Sequence, residues 1–282
     1  MKVGLSLHTS ADADVAADAR DAERLGFELV TVMDHLPGSR PSLETWTAMT
    51  WAAASTEKIR VGSNVLGLPY RHPAVTAKMA ETLNRLSGGR VILGLGGGGS
   101  NDEFRRLGLP LREPKDKVDA FEEALQITRE LWSGKEVSFE GKHYRLEDAQ
   151  ISPPPDPPIP IWLGVYGKRS LTFVAKYADG WLPSYRFAPP GKRREGQERI
   201  RRTAEEMGRD PGEIEYAYNI GVRVDERAEA RPGMIAGPPD KVVKELDELK
   251  AMGVTFLVLW AAGDQSEQRE RLATEVLPQL RE

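Results

Sequence analysis

Short apolar runs alternate along this chain with longer stretches in which apolar residues recur every three or four positions. The short runs read as buried strands at residues 3–7, 29–33, 59–65, 91–95, 161–164, 180–184, 215–222 and 255–260. The longer stretches read as helices. Residues 12–25 carry Val15, Ala19 and Ala22 on one face and stop at Gly26. Residues 43–55 turn Leu43, Trp46, Thr50 and Ala54 inward, and residues 73–86 open with Pro73, which suits a first helical turn. Val118, Phe121, Leu125, Thr128 and Trp132 mark another helix, and residues 169–177 a further one. Val242, Leu246 and Leu249 line the next, and Leu272, Val276 and Leu280 the last. Residues 136–151 alternate around Gly141 like a small hairpin, and the prolines of 153–160 form a stiff connector rather than a domain linker. Eight strands, nearly all followed by a helix, predict an α/β fold: a single-domain (β/α)8 TIM barrel with the hairpin inserted between strands four and five. Chemistry in such a barrel sits at the C-terminal ends of the strands. That rule singles out His8, Asp34, His35, Asn64, residues 96–99, Tyr166, Gly167, Tyr185, Arg186 and Trp260.

Composition narrows the partners. The chain has 282 residues, 39 Lys and Arg against 43 Asp and Glu, and a formal charge of −4. A mildly acidic protein gains nothing from polyanions, so nucleic acid is not an expected partner. The absence of cysteine excludes disulfides, thiolate metal sites and a cysteine nucleophile. The N-terminal apolar run is too short for a signal peptide, and the longest apolar stretch, 254–262, is far short of a membrane span. The expectation is a cytoplasmic protein acting on a small molecule.

The most informative stretch is RVILGLGGGGSNDEF at 90–104. A buried strand opens into Gly96, Gly97, Gly98 and Gly99, and Ser100 and Asn101 could cap a following helix. Strand, glycine turn and helix start together make a phosphate cradle. The run also fits G-x-G-x-x-G, but Gly108 and Pro110 end the helix after about two turns, too early for a dinucleotide fold. Asp34-His35 leaves strand two at the mouth, where a His can shuttle a proton near neutral pH and an Asp can orient it or bind a ligand. Zinc would need His8, His35 and Asp34 together, with no helical His pair in support, so no metal is expected. Of the other histidines, His72 suits a helix start and His143 a solvent-facing hairpin position. No strand interior carries a Schiff-base lysine, and no nucleophile elbow is present. So little protein chemistry points to a cofactor that carries the reaction. The basic cluster Lys192-Arg193-Arg194 with Arg199, Arg201 and Arg202 reads either as a solvated helix face or as a lid that meets an acidic ligand tail.

Several segments resemble the luciferase-like monooxygenase superfamily, in motif order across essentially the whole chain: Val32-Met33-Asp34-His35, Val61-Gly62-Ser63-Asn64-Val65, Leu68-Pro69-Tyr70-Arg71-His72-Pro73, Leu86-Ser87-Gly88-Gly89-Arg90, Pro160-Ile161-Trp162-Leu163-Gly164 and Tyr177-Ala178-Asp179-Gly180-Trp181. The branch it most resembles uses the deazaflavin coenzyme F420. The resemblance implies a ring across the barrel mouth, with Asp34 and His35 at its reactive face and Asn64-Val65 as a bulge behind it, joined by a cis peptide bond. It implies phosphate contacts from Gly97, Gly98, Gly99, Val165, Tyr166 and Gly167, and hydride transfer to or from an organic substrate, for which the strand ends offer His8, Tyr185, Arg186 and Trp260. It also implies a homodimer, which Leu43, Trp46 and Trp51 would serve with apolar area around the second helix. Two alternatives stay open: an FMN-dependent monooxygenase working with a separate flavin reductase, and a non-catalytic flavin- or deazaflavin-binding protein. The chain departs from the family's sugar-phosphate dehydrogenases at two places. It has glycine at Gly99, where they carry glutamate, with Glu103 a turn later, and it lacks their tryptophan shortly after the strand-two histidine.

Overall fold

The computed structural model describes residues 1–35, 42–98 and 101–281. Eight parallel strands form a ring: β1 (Lys2–Ser6), β2 (Leu29–Val32), β3 (Arg60–Ser63), β4 (Val91–Gly96), β5 (Ile161–Leu163), β6 (Gly180–Trp181), β7 (Glu215–Val224) and β8 (Phe256–Ala261). Each pairs with its neighbour in chain order, and β8 closes on β1 with Lys2 opposite Phe256 and Leu5 opposite Leu259. The expected (β/α)8 barrel is the fold. The strand alternation explains its two apolar layers. Leu29, Ile92, Trp162, Ala217, Phe256 and Val258 fill the lumen. Their neighbours Val30, Val91, Leu93, Ile161, Leu257 and Leu259 face outward into the layer shared with the helices. The lumen holds these bulky side chains because the adjacent strand leaves room: a Cβ on Gly180, the partner of Trp162 across the β5–β6 pair, would lie 2.4 Å from the Trp162 ring.

Around the ring lie α1 (Val15–Arg24), α2 (Thr45–Ala54), α3 (Pro73–Leu86), α4 (Asn101–Arg106), α5 (Pro114–Leu131), α6 (Lys168–Tyr177), α7 (Pro190–Glu206) and α8 (Pro239–Ala251). The hairpin Val137–Glu140 and Arg145–Ala149 packs Val137 and Leu146 on Ile127 and Leu131 of α5, as a satellite core between β4 and β5. Two elements differ from the sequence reading. Strand six is only two residues long, with an isolated bridge from Ser184 to Asn219, because Pro183 has no N–H to donate to the ladder. A short strand, Met234–Gly237, extends the sheet beside β7, whose ten residues outrun the barrel.

His72 starts α3 as expected, its Nδ1 accepting the Ala74 N–H at 3.3 Å. Burial holds this imidazole below the ordinary value, in the neutral form that can accept. The unfolded chain therefore binds the proton more readily. The contribution of His72 is complete above about pH 6.5 and is lost as the pH falls toward the lower folded-state value. We expect the melting temperature to decline below that pH, and His72→Asn, which caps without titrating, to flatten the decline. An identical decline in both proteins would remove His72 as its cause. His143 differs from expectation: its side chain is 11% exposed, because the hairpin folds it against α5 near Asp116.

Candidate functional site

The strand ends converge as the barrel requires. His8 follows β1, Asp34 and His35 follow β2, Asn64 and Val65 follow β3, and Gly97 and Gly98 follow β4. Val165, Tyr166 and Gly167 follow β5, Tyr185 and Arg186 follow β6, and Trp260 lies on β8. Met33, Arg186, Asn219, Arg223 and Trp260 line a mouth cavity of about 1380 Å³. Tyr185 instead packs its half-buried ring 5.5 Å from that of Tyr218. His8 Nδ1 and Asn64 Nδ2 are buried polar atoms without a protein partner among the described residues. Such atoms are uncommon in a finished interior and mark the mouth as a place for a polar ligand.

The glycine stretch divides by function. Gly96 is there for packing: an added Cβ would lie 2.7 Å from Val65 Cγ2. Val65 also occupies the space a Cβ on Gly164 would fill, at 2.8 Å, so two strand-end glycines make room for one inward side chain. The Asn64–Val65 peptide bond is cis, as the resemblance implies. Gly97 has no atom of the described residues within 4 Å of its Cβ position. Gly98 turns the chain at φ +87°, and a Cβ there would meet Phe104 at 2.6 Å and Pro69 at 3.1 Å. α4 follows and ends at Arg106, just before Gly108 turns the chain at φ +66°, the stop the sequence indicates. Gly99 and Ser100 lie outside the described residues, as do residues 36–41.

Asp34 and His35 stand in different surroundings. The Asp34 side chain is fully buried. One oxygen accepts the Gly67 N–H at 2.8 Å and Arg71 Nη1 at 3.0 Å, and the other faces Arg71 Nη2 at 3.4 Å. Arg71 also pairs with Glu44, the N-cap of α2. Burial opposes the charge of Arg71, but the hydrogen bonds and charges of Asp34 and Glu44 outweigh it and raise the guanidinium pKa. The Asp34 carboxylate thus ties the end of β2 to the β3–α3 connection. His35, in contrast, is 64% exposed, with Nδ1 3.6 Å from Glu103 Oε1. Glu103 is 17% exposed, and its other oxygen accepts the Tyr70 hydroxyl. The Tyr70 ring rests on Phe104 at 5.2 Å and occupies space that a Cβ on Gly67 would fill. Sequence reasoning gave Glu103, Tyr70 and Arg71 no role. The only signal was the position of Glu103 one turn past the glycines and the L-P-Y-R-H-P motif.

On the β5 side, the Trp181 indole donates to Val165 O at 3.0 Å, and the Ser184 N–H donates to the Tyr166 hydroxyl at 3.0 Å. Burial pushes the Tyr166 phenol above its ordinary value and keeps it a neutral acceptor there. Arg193 departs from the solvated-face reading of its cluster. It is wholly buried between the rings of Trp181 and Tyr218, 5.9 and 5.2 Å away, and it donates to Gln197 and to the Met252 and Gly253 carbonyls. Burial lowers its pKa to about 10, which leaves it charged at neutral pH. It pins α7 to the barrel wall.

Comparison with known proteins gives this architecture a family. The chain is 31% identical to an F420-dependent glucose-6-phosphate dehydrogenase of Beutenbergia cavernae, with 96% of this chain and 94% of that protein aligned. It is 31% identical to an F420-dependent hydroxymycolic acid dehydrogenase of Mycobacterium tuberculosis over 77% of this chain and 61% of that protein. The fold superposes on an F420-dependent secondary alcohol dehydrogenase, solved with an F420–acetone adduct, at a TM-score of 0.89 and 23% identity, covering 100% of this chain and 99% of that one. The family model described as luciferase-like monooxygenase matches residues 2–232, most of the barrel, and the chain belongs to that family.

Proposed function

We propose that this protein is an oxidoreductase that transfers a hydride between the deazaflavin coenzyme F420 and a small organic substrate. The observation that carries the reading is an exposed His35 facing a carboxylate, Glu103, that Tyr70 holds in place, beside a glycine turn and a mouth with orphaned polar atoms. The residues fit the coenzyme. Gly97 and Gly98, with Val165, Tyr166 and Gly167 on the neighbouring strand end, offer backbone N–H groups to its phosphate. Asn64 and His8 offer polar atoms to its ring, and Val65 supports the ring from inside the barrel. When bound, the coenzyme supplies a two-electron hydride carrier.

The chain's own residues handle the proton. When an alcohol is oxidised, its hydroxyl proton must leave as the carbon-bound hydrogen is transferred. His35 takes that proton, and in the reverse direction gives it. Glu103, with Oε1 3.6 Å from Nδ1, orients the imidazole. Asp34 acts through Arg71 to fix the strand end that presents His35. Glutamate therefore stands beside the histidine although glycine occupies position 99. Arg186 and Trp260 face the substrate cavity, and Tyr185 backs it. Turnover assays test the reading: oxidised coenzyme should lose its visible absorbance with a panel of small alcohols, or reduced coenzyme should regain it with the matching carbonyls. Turnover that requires reduced FMN and oxygen instead would contradict it.

The assembly we propose is a homodimer. Trp51 is 63% exposed on α2, beside a cavity lined by Leu43, Val15 and Ala48. Leu43 and Trp46, expected to share that outer area, pack largely on the barrel core, so Trp51 is the anchor. Trp51→Glu should give a monomeric mass by light scattering where the parent gives twice that mass. A monomeric parent would remove the proposal. Among the described residues no helix is long and apolar enough to cross a membrane.

A further inference from the structure

We propose that the groove between the N-terminus of α6 and the face of α7 binds the anionic oligoglutamate tail of the coenzyme. The inference rests on the F420 reading and extends it to residues outside the reaction centre. The cavity has a volume of about 430 Å³. Tyr166 and Phe187 form its apolar edge, with rings 5.7 Å apart and exposures of 44% and 61%. Lys168, Lys192, Arg199 and Arg202 line it.

None of these four cations has an ion pair or side-chain hydrogen bond among the described residues. The contrast with their neighbours is sharp: Arg169, next to Lys168, binds both Asp119 and Glu122, and Lys176 also reaches Glu122. Glu195 and Glu198 also border the groove and offset only half of its positive charge.

The helix end adds a second argument. Asp14, Glu44 and Asp264 cap their helices with side-chain carboxylates. α6 begins at Gly167 with no side-chain cap, a feature shared with α5, α7 and α8, and, like α7, it has no acidic residue in its first turn. Lys168 and Arg169 there oppose the helix dipole, an arrangement that a bound anion relieves.

Position and spacing choose the ligand. Tyr166 belongs both to the segment proposed to hold the coenzyme phosphate and to the groove wall. That segment adjoins the glycine turn through the Gly164 N–H to Leu95 O bond of 2.9 Å. A chain leaving the phosphate toward β6 therefore enters the groove. On α7 the cations run from Lys192 to Arg202, roughly 15 Å at 1.5 Å per residue. A single phosphate cannot span that distance, whereas a string of carboxylates can.

The test is a fluorescence titration of the full chain with the coenzyme carrying a long glutamate tail and with its glutamate-free form. We expect the long-tailed form to bind on the order of tenfold tighter at low salt, with the advantage shrinking toward nil near ~0.5 M salt. The double variant Lys192→Glu/Arg199→Glu should lose the tail-length advantage, with circular dichroism confirming its fold. Lys192→Arg should keep the advantage. Equal affinity of the two forms for the parent protein, or an equal loss of both in the double variant, would overturn the tail groove while leaving the cofactor reading intact. Binding of FMN with neither deazaflavin form bound would overturn both.

Discussion

Replacing His35 with alanine should lower kcat by about 10²–10⁴-fold, the range for a general acid–base group, with little change in coenzyme affinity. His35 is exposed at the mouth and holds no neighbouring element in place, so its loss should leave the fold and the cradle unchanged. Glu103→Gln should show a smaller loss in the same direction, because the carboxylate acts through the imidazole. The pair is expected to be non-additive: once His35 is gone, Glu103→Gln should cost almost nothing more. Rapid-mixing measurement of kcat together with equilibrium coenzyme binding separates the roles. A His35→Ala protein with unchanged kcat and collapsed affinity would make His35 a binding residue.

Gly97→Val should weaken coenzyme binding by about a hundredfold without lowering the melting temperature. Among the described residues nothing lies within 4 Å of a Cβ at position 97, and this glycine does not use a left-handed backbone, so a side chain there is not opposed by the turn itself. It enters the volume where the phosphate must come close to backbone N–H groups. Gly98→Val tests the same turn less cleanly. Its φ of +87° and its closeness to Phe104 and Pro69 make the substitution disturb the turn itself, and left-handed backbone costs a side-chain-bearing residue about 1–2 kcal/mol. The expected contrast is lost affinity with intact stability at position 97, and loss of both at 98. Unchanged affinity in Gly97→Val would move the phosphate away from this turn.

The barrel was legible in the sequence because its signal is local. Most strands are short apolar runs and most helices carry a repeating apolar stripe, and eight such alternations admit few other topologies. The strand-end rule then placed His35, Asn64 and the glycines near one another. What escaped was long-range pairing. Asp34 meets Arg71 across 37 positions, and no periodicity announces that a mouth aspartate will be consumed by an ion pair. Glu103 reads as an ordinary acid in the first turn of a short helix, and only the closed barrel brings it to His35. Arg193 sits in a run of surface-type residues, yet the twist of α7 turns it alone between two aromatic rings. The glycines misled in part as well. Four in a row look like one device, but Gly96 makes room for Val65 while Gly97 and Gly98 form the turn.

The most direct measurement is a fluorescence titration of the purified protein with F420 and, separately, with FMN. It depends on no knowledge of the substrate and addresses the cofactor on which the chemistry rests. Saturable binding of F420 at micromolar concentrations, with FMN bound much more weakly, is the result this account predicts. Tight binding of FMN with no saturation by F420 would contradict it.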